Sequence, residues 1–202
     1  MKGPAKWWIV AGALALVVAG TALAQGGEAE KPGEPGEEAM AAMMAAGKPG
    51  EHHQHLAMLV GDWTYASKFW NPGASEPSEM AGTMKAEPML GGRFIRTTWS
   101  GEFMGMPFEG IGIDGYDNAK QHYTSTWRDN FGTYTLFYTG HCEDGGKVRY
   151  TEGVYTDPAT GEEITDKGKT THRDDGTVLM ESWRVAADGT ESKMMEITLT
   201  KR

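Results

Sequence analysis

The feature that most restricts the fold of this chain is a regular alternation of strand-forming runs and turn residues from Asp62 to the C-terminus. The segments between the runs are rich in Gly, Asn, Asp and Pro, which tolerate positive φ or begin turns. The predicted strands cover residues 62–70, 79–87, 93–100, 107–114, 121–128, 133–141, 147–155, 163–173, 177–186 and 192–200. The even spacing predicts an all-β domain with consecutive antiparallel strands in up-and-down order.

The number of strands favours a closed sheet. An open sheet of about ten antiparallel strands leaves two unpaired edges, and closure into a barrel removes both. Just before the first strand, Leu56 and Leu59 give the segment 51–59 an apolar face, so we predict a short helix that covers one mouth. The predicted fold is an antiparallel up-and-down β-barrel of about ten strands, lipocalin-like or calycin-like, preceded by one or two short helices.

The first 24 residues have the composition of a secretory signal peptide. Lys2 and Lys6 flank the start of an apolar run that extends from residue 7 to about residue 20, and small residues follow at 22–24. We predict cleavage after Ala24 and a periplasmic or secreted location. An uncleaved membrane anchor is the alternative, because the apolar stretch approaches the roughly 20 residues that span a bilayer.

Composition divides the rest of the chain into a linker and one domain. Residues 25–50 are rich in Gly, Pro and Glu and should be a solvated linker, except for a short Ala/Met helix at 39–47 that ends at Gly47. Residues 51–202 form a single predicted barrel domain.

Charge and cysteine content restrict the possible partners. The chain has 19 basic and 28 acidic residues, a formal net charge of −9, so nucleic acid and anionic membrane surfaces would repel it. We therefore predict no nucleic-acid partner and no membrane association after signal cleavage. The single cysteine, Cys142, cannot form an internal disulfide, so an exported fold has to depend on its core. The sequence leaves the oligomeric state open.

The alternation of side chains along each strand predicts the interior of the barrel. In the first strand, the uncharged face carries Trp63, and the same sorting places Leu179 and Trp183 inside near the C-terminus. The candidate ligand-binding residues are Tyr65, Phe69, Trp99, Tyr123, Trp127, Tyr134, Tyr138 and, at the mouth, Arg128. Such an interior suits a small apolar or amphipathic ligand. Ordinary aromatic packing is the alternative, because strands and cores are generally rich in aromatic residues.

Several stretches together closely resemble a bacterial family catalogued as domain of unknown function 1579. They are "LVGDWTY" at 59–65, "LGGRFI" at 90–95, "MGMPFEGIGIDGYDN" at 104–118 and "YTSTW" at 123–127. The resemblance extends from about Met40 to Arg202. It implies an exported domain but no particular substrate, cofactor or catalytic residue.

The tripeptide Gly61-Asp62-Trp63 is similar to the Gly-x-Trp motif of lipocalins and other calycin barrels. In those folds, the tryptophan packs at the closed end of the barrel, often beneath an arginine from a late strand. The resemblance implies that Trp63 is a structural plug. Arg202 or Lys201 would supply the cation through a cation–π contact.

The sequence predicts no metal site and no cofactor. His52, His53 and His55 are close together, but no two of them have the i, i+4 spacing that places two imidazoles on one helix face. Nitrobindin-like proteins use a related ten-stranded barrel with a histidine that ligates haem. The last strand here, "SKMMEITLTKR" at 192–202, has no histidine, so the resemblance to that family does not extend to its ligand.

No nucleophile–base pair, metal cluster or phosphate-binding loop is recognisable, and no catalytic residue is assigned. The favoured hypothesis is a barrel that binds a small apolar or amphipathic molecule. One alternative is an enzyme that uses charges at the mouth, such as Arg128 and Asp129. Another is a solid barrel whose loops recognise other proteins.

Overall fold

The structure of the protein is a computed structural model that describes residues 36–71, 75–158, 160–186 and 188–202. The predicted signal peptide and the predicted linker as far as residue 35 lie outside the described residues. Within the described part of the chain, no helix has the length and apolar character needed to cross a membrane.

The described residues form two helices and ten strands, and these confirm every helix and strand predicted from the sequence to within about three residues. The predicted Ala/Met helix is α1, and the helix predicted before the first strand is α2. The elements are α1 (Glu37–Ala46), α2 (Glu51–Ala57), β1 (Gly61–Phe69), β2 (Ser78–Met89), β3 (Phe94–Phe103), β4 (Met106–Asp117), β5 (His122–Asp129), β6 (Leu136–Glu143), β7 (Val148–Thr156), β8 (Glu163–His172), β9 (Val178–Val185) and β10 (Glu191–Lys201), with a short 3₁₀ turn at Asp144–Gly146.

The ten strands of the described chain close into a barrel. Each strand pairs antiparallel with its sequence neighbours, and β10 returns to pair with β1. The closing register runs from Trp63 opposite Lys201 to Phe69 opposite Met195. Closure pairs the backbone N–H and C=O groups of β1 and β10, which would be unpaired at the two edges of an open sheet, and it confirms the predicted barrel.

The barrel is densely packed at the end covered by α2. Leu56 of α2 and Leu59, two residues beyond it, join a buried cluster with Trp63, Met84 and Leu199. Trp63 is only 3% exposed, and its indole Nε1 donates a hydrogen bond of 2.9 Å to the carbonyl oxygen of Leu59. Burial of apolar surface, at about 25 cal/mol per Å², therefore fixes α2 on this mouth.

Two glycines make room for interior aromatic rings. A β-carbon on Gly110 would lie 2.5 Å from the Trp127 ring, and one on Gly153 would collide with the Phe137 carbonyl oxygen and lie 2.7 Å from the Tyr138 ring. A side chain at either position would displace the ring, and at Gly153 also the neighbouring backbone. The glycines thus determine where Trp127 and Tyr138 lie in the interior.

The prediction that Leu179 and Trp183 face the interior is wrong. In β9, the buried residues are Val178 and Ser182, which alternate with them. Trp183 lies opposite Lys193 on the outer face, with the Lys193 Nζ 5.9 Å from its ring centroid. Both faces of this strand carry apolar and charged side chains, so its composition does not distinguish inside from outside.

Candidate functional site

The half of the barrel away from α2 has a polar and aromatic interior. Strand register places Trp127, Tyr138, Tyr155, Asp166 and Arg184 on the inner face. All five keep some accessible surface, whereas Trp63, Met84 and Leu199, which face inward beside α2, are at most 3% exposed. The half away from α2 combines aromatic, acidic and basic side chains that remain accessible, so it is the candidate site.

A carboxylate with one free oxygen lies in this half. The hydroxyl of Tyr138 donates a hydrogen bond of 2.9 Å to Oδ2 of Asp166, while Oδ1 is buried and has no hydrogen-bond partner among the described residues. Burial raises the pKa of Asp166 to about 6, and the hydrogen bond from Tyr138 opposes that rise only in part. Burial, followed by the charge of Asp166, also raises the pKa of the Tyr138 hydroxyl. The site thus holds a carboxyl group, that of Asp166, which ionises near pH 6 and has one oxygen free to accept a hydrogen bond.

Trp127 contributes an aromatic wall to the same half of the barrel. Its ring lies edge-on to Trp99, with centroids 5.9 Å apart, and nearly parallel to Phe108 at 6.3 Å. Its Nε1 donates a hydrogen bond of 2.8 Å to Oδ2 of Asp129, whose Oδ1 accepts another of 2.9 Å from the backbone N–H of Phe131. Both carboxylate oxygens of Asp129 are therefore engaged by the protein itself.

A positive charge faces the same interior. Arg184 lies opposite Asp166 in the register of β8 and β9, and its Nη1 is 3.6 Å from Oδ2 of Asp157. The Arg184 side chain remains 25% exposed. Burial, followed by the charge of Asp166, raises the pKa of the neighbouring Tyr155 hydroxyl. The site consequently contains groups of both signs around phenolic hydroxyls that stay neutral.

Two of the predicted ligand-binding residues are packed in the core. Tyr65 and Trp99 are buried, and their rings are 5.1 Å apart. Trp99 Nε1 donates to Thr97 Oγ1 at 3.0 Å, whereas the Tyr65 hydroxyl has no partner among the described residues. These two rings therefore belong to the packed core and do not line the accessible part of the site.

Three other predicted residues lie at or outside the rim. Arg128 is exposed on the outer face of β5, opposite Ile111, so the structure does not bring it into the interior. Tyr134 precedes β6 and is 42% exposed. Phe69 ends β1 and lies edge-on to Phe103, with centroids 5.7 Å apart. Arg128 differs from Trp127 because consecutive strand residues point to opposite faces.

The structure places Lys201 over the Trp63 ring. The Lys201 Nζ is 5.4 Å from the ring centroid. Arg202 is exposed, and its backbone N–H donates to the carbonyl oxygen of Asp62 at 2.9 Å. Of the two cations considered from the sequence, Lys201 therefore makes the cation–π contact.

A second group of functional side chains lies at the α2 end. The Tyr123 hydroxyl is 3.1 Å from Nδ1 of His52, 3.2 Å from Nδ1 of His55 and 3.3 Å from Sγ of Cys142. One donor atom from each of His52, His55 and Cys142 lies within 4.8 Å of the others. We call these three residues the His–His–Cys cluster. Imidazole nitrogen and thiolate sulfur are donors that a transition metal can use.

Residues 48–201 match the family described as "Protein of unknown function (DUF1579)". The chain belongs to this family. The match confirms the resemblance noted in the sequence. A search of curated proteins finds no match.

This DUF1579 chain is also similar to a solved structure, that of Rv2717c from M. tuberculosis. The two superimpose with a TM-score of 0.56 at 16% sequence identity, over 77% of this chain and 99% of the other. At that identity, the likeness shows a shared fold alone.

The His–His–Cys cluster of the DUF1579 chain does not follow from i, i+4 spacing, the pattern by which two histidines on one helix were tested as ligands. His52 and His55 are three residues apart, and that spacing also places side chains side by side on a helix. His53 lies apart from the cluster, where it accepts a hydrogen bond of 3.1 Å from the Gly50 N–H at the start of α2. No sequence signal pointed to Cys142, which comes from a distant strand.

Proposed function

We propose that this DUF1579 protein binds a small amphipathic molecule in the half of its barrel away from α2. The observation that carries the proposal is Oδ1 of Asp166, which is buried and has no hydrogen-bond partner among the described residues. Leaving such an oxygen unpaired costs about 1–3 kcal/mol, and more for a charged group. A ligand that donates a hydrogen bond to this oxygen would recover that free energy. The Tyr65 hydroxyl also lacks a partner, but its side chain is packed in the core, where a ligand has no access.

Aromatic rings in the same half of the barrel would receive the apolar part of the ligand. The polar atoms of Trp127 and Tyr138 already form hydrogen bonds with Asp129 and Asp166. Both side chains keep some accessible surface, and this aromatic surface suits the apolar part of a ligand with one polar end.

The chemistry of Asp166 indicates the polar end. Its carboxyl ionises as the pH rises through about 6, so at neutral pH the free oxygen favours a hydrogen-bond donor, and an amine or ammonium above all. Arg184 is already close to Asp157, so it adds positive charge that is partly balanced. We propose an aromatic or aliphatic ligand with a single donor group, encountered in the periplasm or outside the cell.

Fluorescence titration of the full chain with N-phenyl-1-naphthylamine tests the proposal, because this dye combines an apolar body with one N–H donor. We expect saturable binding of one dye per chain. Replacing the acceptor in Asp166→Leu should weaken binding about tenfold, since one hydrogen bond to a charged group is worth about 1.5 kcal/mol or more. Glu152→Gln is the matched control, because Glu152 is exposed on the outer face of neighbouring β7.

Equal dye affinity in Asp166→Leu and Glu152→Gln, or titration without saturation, would contradict the proposal. Native mass spectrometry of the chain isolated from its own host identifies the natural ligand. A mass excess that disappears on denaturation gives the mass of the bound molecule.

A further inference from the structure

We propose that the His–His–Cys cluster is a binding site for one transition-metal ion of the zinc and copper class. The three donor atoms are Nδ1 of His52, Nδ1 of His55 and Sγ of Cys142. The Tyr123 hydroxyl lies beside all three and is the fourth ligand for an ion that requires one. The site is at the α2 end of the barrel, whereas Asp166 lies in the other half, so the two proposals can be tested independently.

The sulfur–nitrogen distances fit a single ion. Zinc–sulfur bonds are about 2.3 Å long and zinc–nitrogen bonds about 2.0–2.1 Å. Sulfur and nitrogen are then about 3.8 Å apart if the bonds meet at the trigonal angle, and about 3.6 Å apart at the tetrahedral angle. Sγ of Cys142 is 3.8 Å from Nδ1 of His52 and 3.8 Å from Nδ1 of His55. Both separations match the trigonal value, and a shift of a few tenths of an ångström gives the tetrahedral one.

Neighbouring groups hold the two imidazoles in this orientation. The His52 ring stacks on Tyr116, with centroids 4.0 Å apart and an interplanar angle of 23°. Oε1 of Glu51 is 3.7 Å from Nε2 of His55, the nitrogen that does not face Cys142. A carboxylate next to the second nitrogen of a ligating histidine is a recurrent feature of metal sites, where it orients the ring and raises its basicity.

The backbone leaves room for His55 and for an ion. Gly146 has φ +86°, and a β-carbon there would collide with the His55 ring. A cavity of about 20 Å³ adjoins the cluster and is lined in part by His55, Tyr123 and Cys142. That volume accommodates about one water molecule, so a bound ion can keep or exchange one exogenous ligand.

The donor set indicates the class of ion. Arg149 lies opposite Cys142 in the register of β6 and β7, and its Nη2 is 3.3 Å from Oδ1 of Asp114, so a carboxylate balances the positive charge on this side of the cluster. One thiolate with two imidazoles selects zinc or copper over magnesium and calcium, which prefer oxygen ligands.

The test uses the full chain, stripped of metal with a chelator and kept reduced. We expect one equivalent of Co²⁺ to produce a thiolate-to-cobalt charge-transfer band, and one equivalent of Zn²⁺ to abolish it by displacement. Competition with a Zn²⁺ chelator and with a Cu⁺ chelator then shows which of the two ions the site retains more tightly. Zn²⁺ should also protect the Cys142 thiol of the unaltered chain from alkylation by iodoacetamide.

Variants assign the binding to the cluster. Cys142→Ser and His52→Asn should each weaken Zn²⁺ binding about 100-fold or more, because the loss of a residue that only supports a ligand already costs 10–100-fold. His141→Asn is the control, since His141 is exposed on the outer face next to Cys142. Circular dichroism verifies that each variant is folded, and the alkylation experiment needs no variant.

Three results would overturn the proposal. The first is the absence of a charge-transfer band with Co²⁺. The second is an alkylation rate that Zn²⁺ leaves unchanged. The third is an equal loss of Zn²⁺ affinity in His52→Asn and His141→Asn, which would reveal nonspecific binding to surface histidines.

Discussion

Replacing Asp166 by asparagine should stabilise the protein in a way that depends on pH. The folded-state pKa of about 6 is higher than the ordinary value of 3.8 because the carboxyl is buried. The fold therefore favours the protonated acid. Wild-type stability should fall as the pH rises from about 4 to about 6, and should stay lower above that range.

The expected size follows from the two pKa values. They differ by about 2, and each pH unit corresponds to about 1.4 kcal/mol, so the ionised carboxylate costs about 3 kcal/mol. Asparagine cannot ionise, and its side-chain oxygen can still accept the hydrogen bond from Tyr138. At pH 4 the unfolded carboxyl is already about half ionised, so the stability of Asp166→Asn relative to wild type should be about 2.5 kcal/mol greater at pH 8 than at pH 4.

Guanidinium unfolding at pH values from about 4 to 8 measures this difference. The comparison requires that the free energy of unfolding varies with guanidinium concentration with the same slope in both proteins. Glu152→Gln, which removes an exposed carboxylate from the outer face, should show no such trend. A difference between Asp166→Asn and wild type that is the same at pH 4 and pH 8 would refute the reasoning. It would mean that water solvates the Asp166 carboxyl and that its Oδ1 does not need a ligand as a hydrogen-bond partner.

Two other substitutions test the α2 end. Trp63→Ala should lower the free energy of unfolding, measured with guanidinium, by about 3–5 kcal/mol, because a buried indole and its hydrogen bond to Leu59 are lost. An unchanged free energy of unfolding would contradict the role of Trp63 as a structural plug. Gly146→Ala should lower the free energy of unfolding by about 1–2 kcal/mol, because alanine is strained at the positive φ of this position. The new β-carbon should also displace His55 and so weaken Zn²⁺ binding about tenfold. Gly189 has a similar φ of +85°, and a β-carbon there would have no atom within 4 Å. Gly189→Ala should therefore lower the free energy of unfolding by a similar amount and leave the Zn²⁺ affinity unchanged.

The strands and their order were predictable because the signals are local. Each turn is marked by residues such as Gly and Asp within a few positions, and side-chain alternation is a property of one strand. In β1, the contrast between the uncharged face of Trp63 and the opposite face, with Lys68, identified the inside correctly. In β9, each face combined apolar and charged residues, so the bulk of Trp183 gave the wrong face.

The candidate site was predictable only in part. Trp127 and Tyr138 were identified as interior residues by the alternation along their strands, which groups Trp127 with Tyr123 and Tyr138 with Leu136. Asp166 was not, since β8 has few apolar side chains with which to define a face. A carboxylate in such a strand resembles a solvated residue until the neighbouring strands enclose it.

By itself, the sequence determined the ten strands, their antiparallel order and the position of the covering helix, because periodicity and turn chemistry act over a few residues. Only the tertiary structure decided which distant side chains meet. His52 and Cys142 are 90 residues apart, yet barrel closure and the seating of α2 bring their donor atoms to 3.8 Å. The same enclosure buries Asp166 and changes its pKa. Contacts and desolvation of this kind depend on the positions of several strands at once, and no single segment encodes them.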